Sequence, residues 1–367
     1  MGCGASSAFS KLTRDFPDLT PMLVMPFPQF KEQKRIMKSV KTWRDEALEK
    51  GWLVEFKPGE VAEGDQAWRG GGRGKKWPKV AIFISHTWWD RDFKDDSNDP
   101  DDPYDRGAPD FQTGEKKDLK WLTICKGVEK LMDQKKLWPQ DVMIWCDWQS
   151  IYQDDTKEKL NGVKSLIRYA ALCDYMLVPT EDVYYDRGEA TDPERILGYG
   201  KRAWCRVEYF VFSLLAEMQG KEGEVQLYTI MLYEPGVEDD GVTPCPERNR
   251  YELQQYPKVL MSERTMPQSG ALSNPDDNVL IRELEDQILD VYGHAIIEIK
   301  CMAAAKAKEG KEGPLVVDLS FKMLRPQHVD SLINACNKYK VAELYLQGNQ
   351  LGRDGGLKLV SRGLWRQ

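Results

Sequence analysis

The chain has 367 residues, a formal net charge of −7, and 41% hydrophobic and 30% charged residues, which is an ordinary composition for two or three globular domains. The acidic balance argues against nucleic acid as a partner, and no apolar run approaches the ~20 residues of a membrane span or forms a signal peptide. The eight cysteines are scattered and only three histidines accompany them, so we expect reduced thiols in the cytoplasm, without disulfides or a metal site.

The first residues fit a lipidation motif. The opening letters MGCGAS match M-G-x-x-x-[ST], in which Gly2 accepts a myristoyl chain. One myristoyl chain gives only marginal membrane binding, and Cys3 offers a palmitoylation site as the second anchor. We therefore interpret residues 1–26 as a lipidated leader that holds the protein at the cytoplasmic face of a membrane. The alternative is a leader of small residues that matches the motif by chance.

Residues 27–76 are predicted to form an N-terminal extension. An amphipathic helix and a short strand fill 27–56, and a glycine-rich segment follows. Its letters RGGGRGKK lack the Ser or Thr that a phosphate-binding P-loop carries after its Lys, and no strand precedes the glycines. This segment is therefore predicted to be a linker.

From residue 79 onward, short apolar runs alternate with helical patterns. The predicted strands are 80–85, 142–146, 175–178 and 225–232. Helical stripes lie between them, and a long last helix is marked by apolar residues from 280 to 299. Strands that alternate with helices of this length predict a parallel sheet covered on both faces, which places one α/β domain at 77–302.

The tail shows an internal repeat. The letters VDLSFKML at 317–324 are followed, 27 residues later, by LYLQGNQL at 344–351. With Val341, the second copy fits L-x-x-L-x-L-x-x-N-x-L, the leucine-rich repeat pattern. Its continuation resembles repeats of the ribonuclease-inhibitor type. Residues 313–367 are therefore predicted to be a partial leucine-rich repeat segment that docks protein partners.

Three segments carry a family resemblance. FISHTW at 83–88 resembles the first strand and loop of TIR domains, and also the opening of fungal heterokaryon-incompatibility domains. IWCDWQSIYQDD at 144–155 is similar to a segment of the incompatibility family, and RAWCRVE at 202–208 resembles the W-C-x-x-E helix of plant-type TIR domains. The resemblance spans about 80–300 and implies a flavodoxin-like parallel sheet that self-associates in immune or cell-death signalling, with no cofactor required.

The same resemblance implies an alternative function as an NAD nucleosidase, with NAD as the substrate. Some TIR domains cleave NAD with a Glu in the helix that follows the second strand. The matching positions here fall near Val163 and Lys164, neither of which is acidic, and the nearest acid is Glu158 one turn earlier. Both functions therefore stay open.

Ligands of open parallel sheets bind outside the carboxyl ends of the strands. The residues there are Ser85, His86, Trp88, Asp147, Trp148 and Thr180. His86 and Asp147 can form an acid–base pair or a structural pair, and the tryptophans can stack a base or line the rim. Glu208 lies at the border of an apolar helical stripe, so it is interpreted either as catalytic or as half of a buried ion pair with Arg202, Arg206 or His86. The candidate catalytic residues are Glu158, Glu208, His86 and Asp147.

Overall fold

The chain divides into two compact units in a computed structural model. The α/β unit comprises Pro17–Phe212 and Val225–Asp277, and the C-terminal unit comprises Ser213–Glu224 and Asn278–Gln367. The structure describes residues 18–57, 79–88, 90–94, 106–110, 114, 116–180, 199–200, 202–218, 226–234, 236–238, 245, 248–255, 266–272 and 274–361. Gly2, Cys3 and the glycine-rich segment lie outside the described residues. Among the helices in the described ranges, none is both long and apolar enough to cross a bilayer.

From Val80 to Glu234 the α/β unit shows the predicted alternation of strands and helices, with two additional short strands at 90–94 and 106–108. In chain order they are β1 (Leu23–Pro26), α1 (Phe27–Gln33), α2 (Lys41–Glu49), β2 (Val54–Glu55), β3 (Val80–Ile84), β4 (Asp90–Lys94), β5 (Arg106–Ala108), α3 (Leu119–Lys135), β6 (Val142–Cys146), α4 (Asp147–Ser150), α5 (Thr156–Lys164), α6 (Leu166–Leu172), β7 (Tyr175–Thr180), α7 (Ala203–Met218), β8 (Leu227–Glu234) and β9 (Arg250–Gln255). The last residues of α7 belong to the C-terminal unit.

The main sheet has seven strands in the order β2-β1-β6-β3-β7-β8-β9. The four central strands, β6, β3, β7 and β8, are parallel, and they are the four that the sequence predicts. Counted along the chain, their spatial order is 2-1-3-4. The α/β class is confirmed, but the prediction of a purely parallel sheet is wrong, because β1, β2 and β9 pair antiparallel at the two edges.

Both edges come from segments that were not assigned to the sheet. β1 lies in the predicted leader, where its four residues are too few to show a period, yet Met25 pairs with Ile144 of β6 and is fully buried. β9 lies in the polar stretch 234–277, and its residues are mostly exposed, as is usual for an edge strand. The α/β unit therefore begins well before residue 77.

Helices cover both faces of the central strands. Successive strand residues point to opposite faces, so Ile82 and Ile84 join the cluster that contains α3, whereas Phe83 lies on the other face. There the Phe83 ring stacks on Trp145 with centroids 4.2 Å apart, and Trp145 packs against Tyr169 of α6. These contacts hold the carboxyl ends of β3 and β6 side by side.

The C-terminal unit consists of strands and helices in alternation after one long helix. Its elements are α8 (Asp277–Lys308), β10 (Val316–Asp318), α9 (Val329–Tyr339), β11 (Glu343–Tyr345) and α10 (Gly352–Ser361). β10 and β11 are parallel, and Val317 pairs with Leu344, 27 residues further on, at the predicted repeat spacing. The long predicted helix is present as α8, but all of it beyond Asp277 belongs to this unit and not to the α/β domain.

The side chain of Asn349 joins the two copies of the repeat. Its Nδ2 donates to the carbonyl oxygens of Leu319 and Leu346 at 2.7 and 3.0 Å. Its Oδ1 accepts from the backbone N–H groups of Lys322 and Leu324, both at 3.0 Å. One amide therefore satisfies four backbone groups in the turns that follow β10 and β11.

Candidate functional site

The candidate site lies where the order of the parallel strands reverses. From β3 the chain passes to β6 on one side, and it then returns to β7 on the other side of β3. Open α/β sheets form their ligand crevice at such a point, outside the carboxyl ends of the strands. Ser85 and His86 directly follow β3, Asp147 directly follows β6, and Thr180 ends β7. The polar residues predicted from the sequence therefore meet at this sheet edge.

His86 and Asp147 form a hydrogen-bonded pair. The distance from His86 Nε2 to Asp147 Oδ1 is 2.8 Å. The imidazole is 2% exposed, whereas the carboxylate is 42% exposed. Asp147 also accepts the backbone N–H of Trp148 at 2.6 Å, which fixes the carboxylate at the start of α4. The pair thus presents a held carboxylate to solvent, with its histidine buried behind it.

The second nitrogen of His86 contacts Lys120, a residue that sequence analysis missed. Lys120 is 0% exposed, and its Nζ lies 2.8 Å from His86 Nδ1. Lys120 Nζ also donates to the carbonyl oxygens of Thr87 and, at 2.6 Å, Pro109. Its place in the sequence could have indicated burial, because Lys120 precedes the buried Ile124 by one helical turn and so lies on the apolar stripe of α3.

Asp110 anchors the start of α3 and thereby the backbone of Lys120. Its carboxylate accepts the backbone N–H groups of Lys120 and Trp121 at 2.8 and 2.7 Å. These groups have no partner within the helix, and an acidic side chain at this end is favourable. The buried lysine is therefore held at both its backbone and its side chain.

Glu208 belongs to a second polar group on the other side of Ser85. The Ser85 hydroxyl donates to Glu208 Oε2 and is also hydrogen-bonded to the hydroxyl of Tyr199. Glu208 is 9% exposed, and its side chain is hydrogen-bonded to Ser85. Of the three predicted ion-pair partners, Arg202 acts on Glu208 through its charge, which opposes the rise that burial causes in the Glu208 pKa. The Arg206 Nε donates to Gly200 O at 2.6 Å, and His86 bonds Asp147.

The ionisable groups of the cluster are shifted in different directions. Burial raises the pKa of Glu208 to about 8, against the hydrogen bond from Ser85, and the Asp147 charge adds to the rise. Burial also disfavours ionised Asp147, but the charge and hydrogen bond of His86 outweigh it and lower the Asp147 pKa. Burial and then the Lys120 charge lower the pKa of His86, and burial lowers that of Lys120 to about 7. Near neutral pH these shifts favour a protonated Glu208, an ionised Asp147 and a neutral His86, and they place Lys120 close to its titration midpoint.

Glu158 is not brought to this cluster. It lies in the first turn of α5, where its backbone N–H donates to Asp155 at 2.8 Å. Its side chain is 51% exposed and approaches Arg44 at 4.0 Å. The helix that follows the second parallel strand therefore offers an exposed acid, and the buried acid comes from α7.

The other predicted residues line the edges of the cluster. Thr180 is buried, and its hydroxyl donates to Ile230 O at 3.2 Å, which is a structural contact. The rings of Trp88 and Trp148 meet edge to face with centroids 5.2 Å apart, and Lys38 lies 5.4 Å from the Trp148 ring. This partly exposed aromatic pair adjoins Asp147.

His86, Cys146 and Asp147 are close enough together to suggest a metal site. Lys120, however, contacts Nδ1 as a donor, so the ring proton lies on Nε2, the nitrogen that faces Asp147. Burial raises the pKa of the Cys146 thiol well above its usual value. The three residues therefore form a hydrogen-bonded His–Asp pair beside a protonated thiol.

No family model, curated protein or solved structure matches the chain. The hydrogen bonds and charges of the cluster are therefore more informative about function than the fold alone. The pKa values of two carboxyl groups near the ends of β3 and β6 shift in opposite directions, because one group is buried beside a hydroxyl and the other is bound to an imidazole. Such divergence is the usual arrangement of acid–base pairs in enzymes.

Proposed function

We propose that the chain is a membrane-tethered signalling protein whose α/β unit hydrolyses the N-glycosidic bond of NAD. The observation that carries the proposal is that two carboxyl groups meet at the switch point of the sheet, Asp147 bonded to His86 and Glu208 bonded to Ser85. Their pKa values shift in opposite directions, which suits an ionised Asp147 and a protonated Glu208. Cleavage of a glycosidic bond develops positive charge on the sugar, and glycosidases stabilise that charge with paired carboxyl groups.

Asp147 has the exposure and charge for the main role. Its carboxylate stabilises the cationic ribose as the bond from the anomeric carbon to the nicotinamide nitrogen breaks. Nicotinamide leaves as a neutral base, a water oxygen bonds to the anomeric carbon, and the proton of that water passes to Asp147 and then to solvent. Glu208 remains protonated beside Ser85 and offers a hydrogen-bond donor to a ribose hydroxyl.

The identity of the substrate rests on the resemblance and on the rim of the crevice. The segments at 83–88 and 202–208, which resemble TIR domains, supply His86 and Glu208. The strand order 2-1-3-4 agrees with the flavodoxin-like sheet that the resemblance implies. Trp88 and Trp148 present an aromatic pair beside Asp147 on which a base can stack.

The rest of the chain supports a signalling context. The parallel strands 27 residues apart and the amide of Asn349, which bonds four backbone groups, agree with leucine-rich repeats, which serve as protein-docking surfaces. Exposed apolar side chains on this unit include Phe321 and Tyr345. Acylation of Gly2 and Cys3 would concentrate the chain on a membrane and favour self-association.

The direct test is nicotinamide release from NAD by the full chain, measured by chromatography at high protein concentration. Wild type is expected to turn NAD over, Asp147→Asn to lose kcat by about 100-fold or more, and Glu208→Gln to raise KM. Glu158→Gln is the matched control, since this exposed acid lies outside the cluster. Absence of release from wild type, or loss of release only in Glu158→Gln, would refute the proposal.

The second candidate is a self-associating module without catalysis. It is favoured by one observation: Ser85, Tyr199 and Glu208 already satisfy one another, as a structural polar cluster would. Sedimentation velocity on the full chain, run beside the turnover assay, separates the two. Concentration-dependent oligomers without nicotinamide release would support this second function.

A further inference from the structure

We propose that Lys120 is a positioning residue: it keeps the His86 imidazole neutral, with its proton on Nε2, and so maintains the charge of Asp147 for the proposed cleavage of NAD. This inference rests on the proposed function, but it concerns a residue that touches no substrate. Lys120 lies behind the histidine, and only Asp147 reaches the surface.

The contacts of Lys120 determine which atoms donate and which accept in the hydrogen bonds that run from Lys120 through His86 to Asp147. In its ammonium form Lys120 has three donors and no acceptor, and among the described residues Thr87 O, Pro109 O and His86 Nδ1 accept from Nζ. Because Nδ1 accepts, the proton of the neutral ring is on Nε2. Nε2 therefore donates to Asp147, and the carboxylate is bound by a neutral donor.

Without the Lys120 amine the imidazole would have a different set of partners. His86 Nδ1 also lies 3.3 Å from Thr87 O, which can only accept. Both ring nitrogens would then face acceptors, Thr87 O and Asp147, and the ring would satisfy both only in its doubly protonated form. Among the described residues, the ring also contacts the thiol of Cys146, which lies 3.6 Å from Nε2 and carries no charge because burial raises its pKa. Loss of Lys120 therefore converts a neutral histidine into a cation beside Asp147.

Lys120 continues the apolar stripe of Ile124 and Val128 on α3. Burial of its charge is costly, and hydrogen bonds to Thr87 O, Pro109 O and His86 Nδ1 offset that cost. Removal of the amine leaves these three acceptors without this donor, so Lys120→Met is expected to lose stability as well as to change His86. The test of a positioning role therefore needs readouts other than stability.

The test uses the full chain and the variants Lys120→Met and Lys120→Gln. In Lys120→Met we expect the imidazole ¹⁵N shifts of His86 to report a doubly protonated ring at neutral pH, with a pKa above the wild-type one. The kcat for NAD should fall by about 100-fold with KM little changed, because a cationic His86 offsets the Asp147 charge that stabilises the cationic ribose. Lys120→Gln keeps a neutral donor for Nδ1 and should restore the wild-type tautomer and much of kcat.

The controls separate this inference from the proposed function. Lys117→Met removes an exposed lysine one turn earlier and should leave both the ¹⁵N shifts and kcat unchanged. A wild type that releases no nicotinamide would refute the proposed function and this role together. An active wild type whose His86 shifts and kcat survive Lys120→Met would refute this inference alone. If thermal unfolding shows that Lys120→Met does not fold, Lys120→Gln decides. A wild-type tautomer and rate in Lys120→Gln would support the role, and a wild-type tautomer without activity would refute it.

Discussion

Glu208 and Asp147 lie near the same strand end, yet their pKa values shift in opposite directions. Burial dominates at Glu208, whose hydrogen-bond donor is the neutral hydroxyl of Ser85. At Asp147 the histidine compensates for burial, and Lys120 sets the direction of that hydrogen bond. The two carboxyl groups thus differ because their hydrogen-bond partners differ: a neutral hydroxyl for Glu208 and a buried imidazole for Asp147.

The raised pKa of Glu208 predicts how stability depends on pH. A carboxyl whose pKa rises from 4.5 to about 8 on folding contributes its full stability below about pH 4.5 and loses it as the pH rises to about 8. Glu208→Gln resembles the protonated acid and removes this loss. We expect the Tm of the wild type to fall more steeply between about pH 5 and pH 8 than that of Glu208→Gln. Parallel curves in scanning calorimetry would contradict the assignment.

The Ser85 hydroxyl is expected to be important for stability. Ser85→Ala removes a donor from buried Glu208 and a partner from Tyr199, and each unsatisfied buried group costs about 1–3 kcal/mol. Ser39→Ala is the matched control, because the Ser39 hydroxyl is also buried but has no hydrogen-bond partner in the described residues. Denaturant titration should show a clear loss for Ser85→Ala and little change for Ser39→Ala. Equal losses would mean that the Ser85–Glu208 contact contributes nothing.

Gly127 allows α3 to pack closely on the sheet. A Cβ at this position would lie 2.8 Å from side-chain atoms of both Leu177 and Ile230. Gly127→Ala should therefore destabilise the α/β unit by about 1–3 kcal/mol through overpacking. Gly356→Ala, in α10, meets nothing within 4 Å and should be neutral or slightly stabilising. Thermal unfolding of the two variants checks the difference, and an unchanged Gly127→Ala would show that the helix adjusts freely.

The sequence predicted the central strands correctly because a buried strand is visible as a local run of apolar residues. β6 consists of five buried residues, and such a run is recognisable without its neighbours. β1 and β9 were missed because their pairing with β6 and β8 is a tertiary event, and short or exposed edge strands carry little pattern. His86 and Asp147 were predicted as site residues because they follow the carboxyl ends of parallel strands, where open sheets bind ligands.

The partners of the site residues were beyond the reach of the sequence. Lys120 is 34 residues from His86, and Ser85 is 123 residues from Glu208, so neither spacing is periodic. A lysine on an apolar stripe is usually interpreted as an irregularity of the pattern, since its long side chain can reach solvent. Here Lys120 remains buried because carbonyl oxygens of Thr87 and Pro109 accept from it.

The N-terminal motif gives a prediction in cells. Gly2→Ala removes the acceptor of the myristoyl chain and should move the protein from the membrane to the soluble fraction. Cys3→Ser removes only the second anchor, so it should weaken retention without abolishing it. Fractionation and metabolic labelling with acyl analogues measure both effects. Membrane association that survives Gly2→Ala would rule out this tether.

The last prediction concerns Asn349, whose amide supports the two turns of the C-terminal unit. Asn349→Ala leaves the N–H groups of Lys322 and Leu324 and the carbonyls of Leu319 and Leu346 without this partner. Each unsatisfied group costs about 1–3 kcal/mol of stability, and partial access of water reduces that cost here. We therefore expect amide exchange at Lys322 and Leu324 to be at least about tenfold faster.

Asn349→Asp tests the direction of the same bonds. The carboxylate still accepts from both N–H groups, but it can no longer donate to Leu319 O and Leu346 O, and its charge faces two carbonyl oxygens. We therefore expect the amides of Lys322 and Leu324 to stay protected better than in Asn349→Ala while the unit still loses stability. Asn337→Ala, an exposed asparagine of α9, is the control and should leave exchange unchanged. If hydrogen-exchange mass spectrometry found the same protection in Asn349→Ala as in wild type, the amide would not hold these turns, and its support for a leucine-rich repeat would be lost.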